Sequence, residues 1–395
     1  MKIAIWSDTF PPQVNGVASV ARDLANALTE LGHDVAIFTV LGEDRAEKQT
    51  GDKPFTVHKI PSFSMPKSIY PGEGLSVALL PGPGTIRALK EFKPDIIHAH
   101  TPFLAGWGAV MGKTILNVPL VGTHHTFFDD YLKHVKLDYP WGRKFSWQYT
   151  VTYYNRADAV TSPSRALGSA LIEHGLTSPM HIIPNPADTE FFVPIQSTSR
   201  KKDLKKQFGT GEHAIVYMGR VSYEKSIDQA LEAFCIALKE MPDATLMIVG
   251  DGPERKKLEG LARELGCEKK IIFTGMLHGE KLRNALWAND AFITASQSEN
   301  MPISIIEAMA CGLPVVAVRA RGIPDIVHHN ENGLLAPPGE PKLLARAIIE
   351  IFSSPESLRK KGNASRKLAE QYSKKNIARS MVTLYEAIIK NPSQR

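Results

Sequence analysis

Cysteine is scarce in this chain, with three residues among 395. Cys235, Cys267 and Cys311 are odd in number and widely spaced, so neither a disulfide framework nor a CxxC zinc module is expected, and a reducing, cytoplasmic setting follows. No stretch approaches the roughly 20 mostly apolar residues that cross a bilayer. The opening MKIAIWSDTF reaches Asp8 too soon to hold a signal peptide's apolar region, so neither anchor nor leader is expected. Dense Lys/Arg clustering is also missing. The net charge of +6 arises in the second half: residues 1–190 carry 17 Lys/Arg against 18 Asp/Glu, residues 191–395 carry 30 against 23. So diffuse an excess argues against a nucleic-acid partner and suits a phosphorylated small ligand or an anionic surface. There is no GxGxxG run, which removes the main support for a dinucleotide oxidoreductase.

What is present is a globular composition, 43% hydrophobic, long enough for two domains. Apolar strands are expected at 3–7, 34–40, 95–100 and 120–124. Between the first two lies a helix with Val17, Val20, Ala21, Leu24, Leu28 and Leu31 at spacings of three and four, stopped by Gly32. The pattern restarts with strands at 214–218, 245–249, 271–274, 291–295 and 314–318. Strands alternating with helices imply parallel sheets covered on both faces. The fold class is therefore α/β, with two Rossmann-like domains, each a parallel sheet wound with helices. The prolines and polar run of HIIPNPADTEFFVPIQSTSRKKD interrupt both periods. We place the first domain at 1–190, the second at 191–373, and a helix in 374–395. Its Ile377, Met381, Leu384, Ile388 stripe must pack on something, a return to the first domain being one solution.

In open parallel sheets ligands bind beyond the carboxyl ends of the strands, so two facing sheets would leave a cleft lined by those loops. Arg220 and Lys225 in YMGRVSYEKS follow the first strand of the second domain; a bidentate fork and a point charge suit a diphosphate, although surface loops often carry both. In SQSENMPISIIEAMACGLPVVA, Glu299 lies in a loop able to accept hydroxyl hydrogen bonds. Glu307 sits in a helix entered near Pro302, otherwise too apolar for a solvated carboxylate. Gly16 in FPPQVNG opens a helix where a phosphate can approach the backbone.

His98, His100, His124 and His125 cluster at two strand ends. They read as a zinc site or, more strongly, as neutral donors and acceptors for sugar hydroxyls. Residues 131–150 interleave Lys133, Lys136, Arg143 and Lys144 with Tyr131, Tyr139, Trp141, Phe145, Trp147 and Tyr149. This pattern suits an interfacial membrane contact and equally a helix with aromatics in the core and solvated lysines. No acidic pair or His/Cys spacing resembles a metal site bridging a diphosphate, so no cofactor or metal is expected.

Together the Gly16 loop, GRVSYEKS, VGDGPERKKLE, FTGM and the Glu299 to Glu307 run with AMACGLPVVA resemble the retaining glycosyltransferases of family four, over nearly the whole chain. The resemblance implies the GT-B fold and transfer from a nucleotide sugar without a tightly bound metal. The leaving diphosphate would assist deprotonation of the acceptor. It implies that Arg220 and Lys225 bind the diphosphate, Glu299 the sugar hydroxyls, Glu307 the ribose and Gly16 a phosphate, and that His125 faces the transferred sugar. Met276 and Asn300 join the substrate-binding set. One departure is that Asn300, Met301 and Pro302 stand where relatives usually have a glycine, and Pro302 offers no N–H.

DTFPPQVNGVA and THHTFFDDYLKHV look most like glucosyltransferases that build diacylglycerol glycolipids, next like phosphatidylinositol mannosyltransferases using GDP-mannose. The expected partners are a UDP-hexose donor, a lipid acceptor and an anionic membrane, and the place is peripheral on the inner membrane face. Lys133, Lys136, Trp141, Arg143, Lys144 and Trp147 would then touch the bilayer. A soluble sugar acceptor, a nucleotide-sugar epimerase and a non-catalytic nucleotide-binding scaffold are the alternatives.

Overall fold

The computed structural model describes residues 1–11, 13, 15–40, 55–64, 76–127 and 139–391. The chain divides into two compact units, unit 1 being Met1–Pro186 with Lys374–Arg395 and unit 2 being Ala187–Ser373. The division falls after Pro186 because Phe191, Phe192 and Val193 are already committed to the core of unit 2.

Unit 1 holds β1 (Lys2–Ser7), β2 (Asp34–Thr39), β3 (Thr56–Lys59), a short antiparallel hairpin of β4 (Ser62–Ser64) and β5 (Ser76–Ala78), β6 (Ile96–Ala99), β7 (Leu120–Thr123), β8 (Ala159–Ser162) and β9 (Met180–Ile182). Its main sheet runs β3-β2-β1-β6-β7-β8-β9, every pairing parallel. The strands alternate between two cores, as a period of two requires. Ala4, Trp6, Ala36 and Phe38 face one cluster, Ile3, Ile5, Val35 and Ile37 the other. The helix Gly16–Glu30 covers that second face beside the helix Lys374–Lys390, whose Ala378, Met381, Leu384 and Tyr385 are buried there. Burying Met381 and Leu384 is worth about 1.5–3 kcal/mol each.

Unit 2 holds β10 (Ala214–Met218), β11 (Thr245–Val249), β12 (Ile271–Gly275), β13 (Ala291–Thr294), β14 (Val315–Val318) and β15 (Gly333–Ala336) in the parallel order β12-β11-β10-β13-β14-β15. Strand order reverses at β10, so the loops after β10 and β13 diverge and leave room for a ligand. The expected strands all occur, but β3, β4, β5, β8, β9 and β15 went unread. Each is three or four residues long.

The expectation of no disulfide is corrected: Cys235 and Cys267 are bonded, their Cα atoms 5.9 Å apart across 32 residues. Crossover helices flanking one strand lie side by side on the sheet, so the end of Ile227–Ala237 meets the turn after Arg255–Glu264. The reducing setting inferred from cysteine spacing loses its basis. Cys311 is the free, buried thiol.

Candidate functional site

In unit 2 the loops leaving β10, β11 and β12 are laced together. Gly219 N–H donates to Val249 O (3.0 Å), Val221 N–H to Asp251 O (3.0 Å), Gly250 N–H to Gly275 O (2.9 Å) and Glu254 N–H to Val221 O (3.2 Å). This is why VGDGP needs its glycines: a Cβ on Gly250 would lie 1.9 Å from Gly219 O, and one on Gly252 2.2 Å from Val221 O. The lacing puts Arg220 at the lip of β10 with an exposed side chain. The buried Tyr217 hydroxyl donates to its carbonyl at 3.1 Å. Burial, with the Glu299 and Glu224 carboxylates adding to it, holds that hydroxyl well above its usual range, so it stays a donor. Met276, just past β12, is 52% exposed.

Beyond Arg220 the chain makes one 3-10 turn, Tyr223–Lys225, and Ser226 enters the next helix through a left-handed φ of 48°. That kink brings Lys225 Nζ to 2.7 Å from Glu299 Oε1, both side chains mostly shielded. The Glu299 loop is pinned in place: Ser298 Oγ donates to Glu224 O at 3.1 Å, and Gly322 N–H to Glu299 O at 3.1 Å. A shielded cation and carboxylate in contact present a phosphate-binding charge beside a hydroxyl acceptor. Asn300 and Met301 are buried beside Glu299. Glu307, half-buried, rides the helix Ile303–Ala310, whose Ile305, Ile306, Ala308, Met309 and Ala310 are buried. Burial first, and then Glu307, pushes the Cys311 thiol above its usual range.

In unit 1 Asn15 caps the helix Gly16–Glu30, its side chain accepting from Ala18 N–H at 2.9 Å. Among the described residues, beyond its chain neighbours and its own helix, nothing lies within 4 Å of where a Gly16 Cβ would stand. The four histidines come together at the ends of β6 and β7. His98 Nε2 is 2.6 Å from Thr123 Oγ1, and its Nδ1 2.6 Å from the Tyr385 hydroxyl. His100 Nδ1 is 3.0 Å from His125 Nε2, and the Asn185 side chain also hydrogen-bonds His125. Burial lowers all four, His98 and His124 to about 3 and His125 to about 4. The rings are therefore neutral at ordinary pH and meet their neighbours as uncharged donors and acceptors. Among the described residues no cluster of His, Cys, Asp or Glu fits a metal ion.

Sequence reasoning passed over Asp8. It opens the first loop, accepting from Thr101 Oγ1 at 2.5 Å and from Ala105 N–H at 3.1 Å, which caps the helix Leu104–Leu116. Burial holds its carboxyl above the usual range, against those bonds. A carboxylate directly after a fully buried strand was the available signal.

Of the membrane candidates, Lys133 and Lys136 lie outside the described residues. Trp141 and Phe145 are 63% and 69% exposed on the helix Pro140–Tyr154, with Arg143 and Lys144 exposed beside them. Trp147 is a correction: it is 8% exposed and stacks on His174 at 4.1 Å, because helical spacing turns it away from Trp141 and Phe145 onto the core. Among the described residues no helix is long and apolar enough to cross a membrane.

Two Rossmann-like units with a charged strand-end site in the second are the architecture of GT-B glycosyltransferases. Residues 14–191 match the model for Glycosyltransferase Family 4, and residues 199–368 the model for Glycosyl transferases group 1. A sulfoquinovosyl transferase of Arabidopsis thaliana is 30% identical over 380 residues, covering 94% of this chain and 70% of the relative. An alpha-monoglucosyldiacylglycerol synthase of Streptococcus pneumoniae is 29% identical, covering 100% of this chain and 88% of the relative. A GDP-mannose-dependent alpha-mannosyltransferase of Mycobacterium tuberculosis is 29% identical over 86% of this chain and 85% of its own. Among solved structures, the Anabaena protein HepE in complex with UDP superposes with a TM-score of 0.79 at 21% identity, covering 98% of this chain and 100% of that one. The chain belongs to glycosyltransferase family four. It is a glycosyltransferase of the GT-B type.

Proposed function

We propose that this enzyme transfers a hexose, glucose first, from its UDP ester to a lipid hydroxyl such as that of diacylglycerol, with retention and at the inner membrane surface. The observation that carries the donor half is the Lys225–Glu299 contact at 2.7 Å beside Arg220. In this reading the Arg220 fork and Lys225 take the diphosphate and stabilise its departing charge, while Glu299, freed from Lys225, accepts sugar hydroxyls. Glu307 takes the ribose, Gly16 offers its amide to a phosphate, Met276 and Asn300 line the donor, and His125 faces the transferred sugar. The departing diphosphate draws the proton from the acceptor hydroxyl, so no side-chain base is required.

Support for a lipid acceptor comes from the exposed Trp141, Phe145, Arg143 and Lys144 group, which pairs rings for the headgroup layer with cations for anionic lipid. The relative named as a diacylglycerol glycolipid synthase points the same way. The names of three mannosyltransferase relatives favour a second reading, mannosyl transfer from GDP-mannose. A panel of UDP- and GDP-sugars assayed with diacylglycerol vesicles separates these readings. Turnover with UDP-glucose and vesicles is expected; turnover only with GDP-mannose, or only with soluble acceptors, would replace the first reading.

A further inference from the structure

The histidines of unit 1 contain a proton pattern that the transfer chemistry does not by itself demand. His98 and His100 sit two residues apart at the end of β6, so their side chains share a face of the sheet. Their ring centroids are 4.3 Å apart. His98 is held from both sides, by Thr123 Oγ1 and by the fully buried Tyr385 of the C-terminal helix. In the run Tyr385, His98, Thr123, Thr161 one terminal hydroxyl must go without an acceptor among the described residues. A phenol is a stronger donor and a poorer acceptor than an aliphatic alcohol, so Tyr385 donates to His98 Nδ1 and His98 carries Nε2–H. His98 is thereby a fixed wall against His100.

His100 is 2% exposed; among the described residues its Nδ1 is partnered by His125 Nε2, and its own Nε2 is buried without a partner. Two assignments satisfy the 3.0 Å contact. If His125 donated, His100 would carry its proton at Nε2, an orphaned buried N–H. If His100 donates, the orphan is a lone pair, which proteins tolerate better than an orphaned N–H. The second assignment also places the His125 proton on Nδ1, available to the Asn185 side chain that hydrogen-bonds this ring.

We propose that His100 is a positioning residue of the transferase, donating Nδ1–H to His125 Nε2 and so locking His125 in one orientation as the Nδ1–H tautomer. The positioning role rests on the reading that His125 faces the transferred sugar; the proton pattern does not. With Nε2 occupied, His125 meets the sugar as a fixed ring and carries no proton to the leaving group.

Long-range 15N–1H correlation on the full-length 15N-labelled chain at pH 7 reads the tautomers directly. Nδ1–H on both His100 and His125 is expected; Nε2–H on His125 would overturn the assignment. In turnover, His100→Phe removes the donor and is expected to lower kcat about tenfold or more, with the KM for the donor sugar within about twofold of the parent. His100→Asn, whose amide nitrogen stands where Nδ1 stood, should recover most of that loss. A Phe variant with parental kcat, or an Asn variant as slow as the Phe variant while equally folded, would overturn the positioning role. If the Phe variant fails to fold, the Asn variant and the parental tautomers still decide. Parental turnover in His125→Ala alongside the expected tautomers would instead overturn the functional reading of His125.

Discussion

The strand-end loops of unit 2 and the histidine cluster of unit 1 occupy equivalent positions on similar sheets, and they solve opposite electrostatic problems. In unit 2 the side chains are charged, partly open to solvent and paired, as with Lys225 and Glu299. In unit 1 they are imidazoles, buried and pushed to the neutral form. Charge near water is cheap to keep and can be redirected to a ligand. Charge in a buried ring is costly, so such rings serve by shape and hydrogen-bond direction. The difference fits the proposal that charged side chains of unit 2 take the diphosphate while the unit 1 rings meet neutral sugar hydroxyls.

The largest expected effect breaks the charged side. Lys225→Ala and Glu299→Gln should each lower kcat/KM about 10²–10³-fold through lost transition-state contacts, with circular dichroism unchanged. Near-parental kinetics in either folded variant would remove the pair from the proposed site.

The neutral side should break with acid. His98 and His124 titrate at about 3 in the folded chain against 6.5 when free, so below pH 6.5 the unfolded chain binds more protons. Stability from these rings is fully present above pH 6.5 and is lost as pH falls toward 3, about 2 kcal/mol for each ring by pH 5. Calorimetry of the full chain at pH 7.5 and 5 should show the unit 1 transition falling further than that of unit 2; equal shifts would count against buried, neutral rings.

Glycines sharpen the contrast on a smaller scale. Gly250→Ala puts a Cβ against Gly219 O at a φ of +140°, and should cost about 1–3 kcal/mol in unit 2. Gly16→Ala meets nothing within 4 Å among the described residues outside its own helix and chain neighbours. Its stability should stay within about 0.5 kcal/mol of the parent, while turnover falls if a phosphate approaches that amide. Thermal melts with donor kinetics separate the two outcomes.

The smallest effect concerns the aromatic-basic helix. Arg143→Gln with Lys144→Gln should weaken binding to anionic vesicles by about 1 kcal/mol per cation, an effect that salt removes. Trp141→Ala with Phe145→Ala should weaken it in a salt-independent way. Trp147→Ala should lower the melting temperature instead, since its ring lies in the core. Cosedimentation unchanged in both double variants would move the soluble-acceptor reading ahead.

Composition and periodicity were enough for two wound parallel sheets, because buried strands and amphipathic helices advertise themselves through local repeats such as Val17 to Leu31. Arg220, Lys225 and Glu299 could be singled out for a related reason: they lie in the loops that follow apolar strands, where open parallel sheets bind ligands. Pairings between distant residues left no local trace. Nothing in Cys235 or Cys267 indicates that two crossover helices end side by side, and nothing in Trp147 separates it from Trp141 except the direction of a core. Tyr385 reaching His98 across 287 positions, and the protons its bond arranges, belong to the tertiary structure alone. Local sequence determines which segments become strands and helices and where each strand ends. Which side chains lose water and which neighbour supplies the missing hydrogen bond are decided only when distant segments pack, since burial and hydrogen-bond geometry are properties of the assembled core.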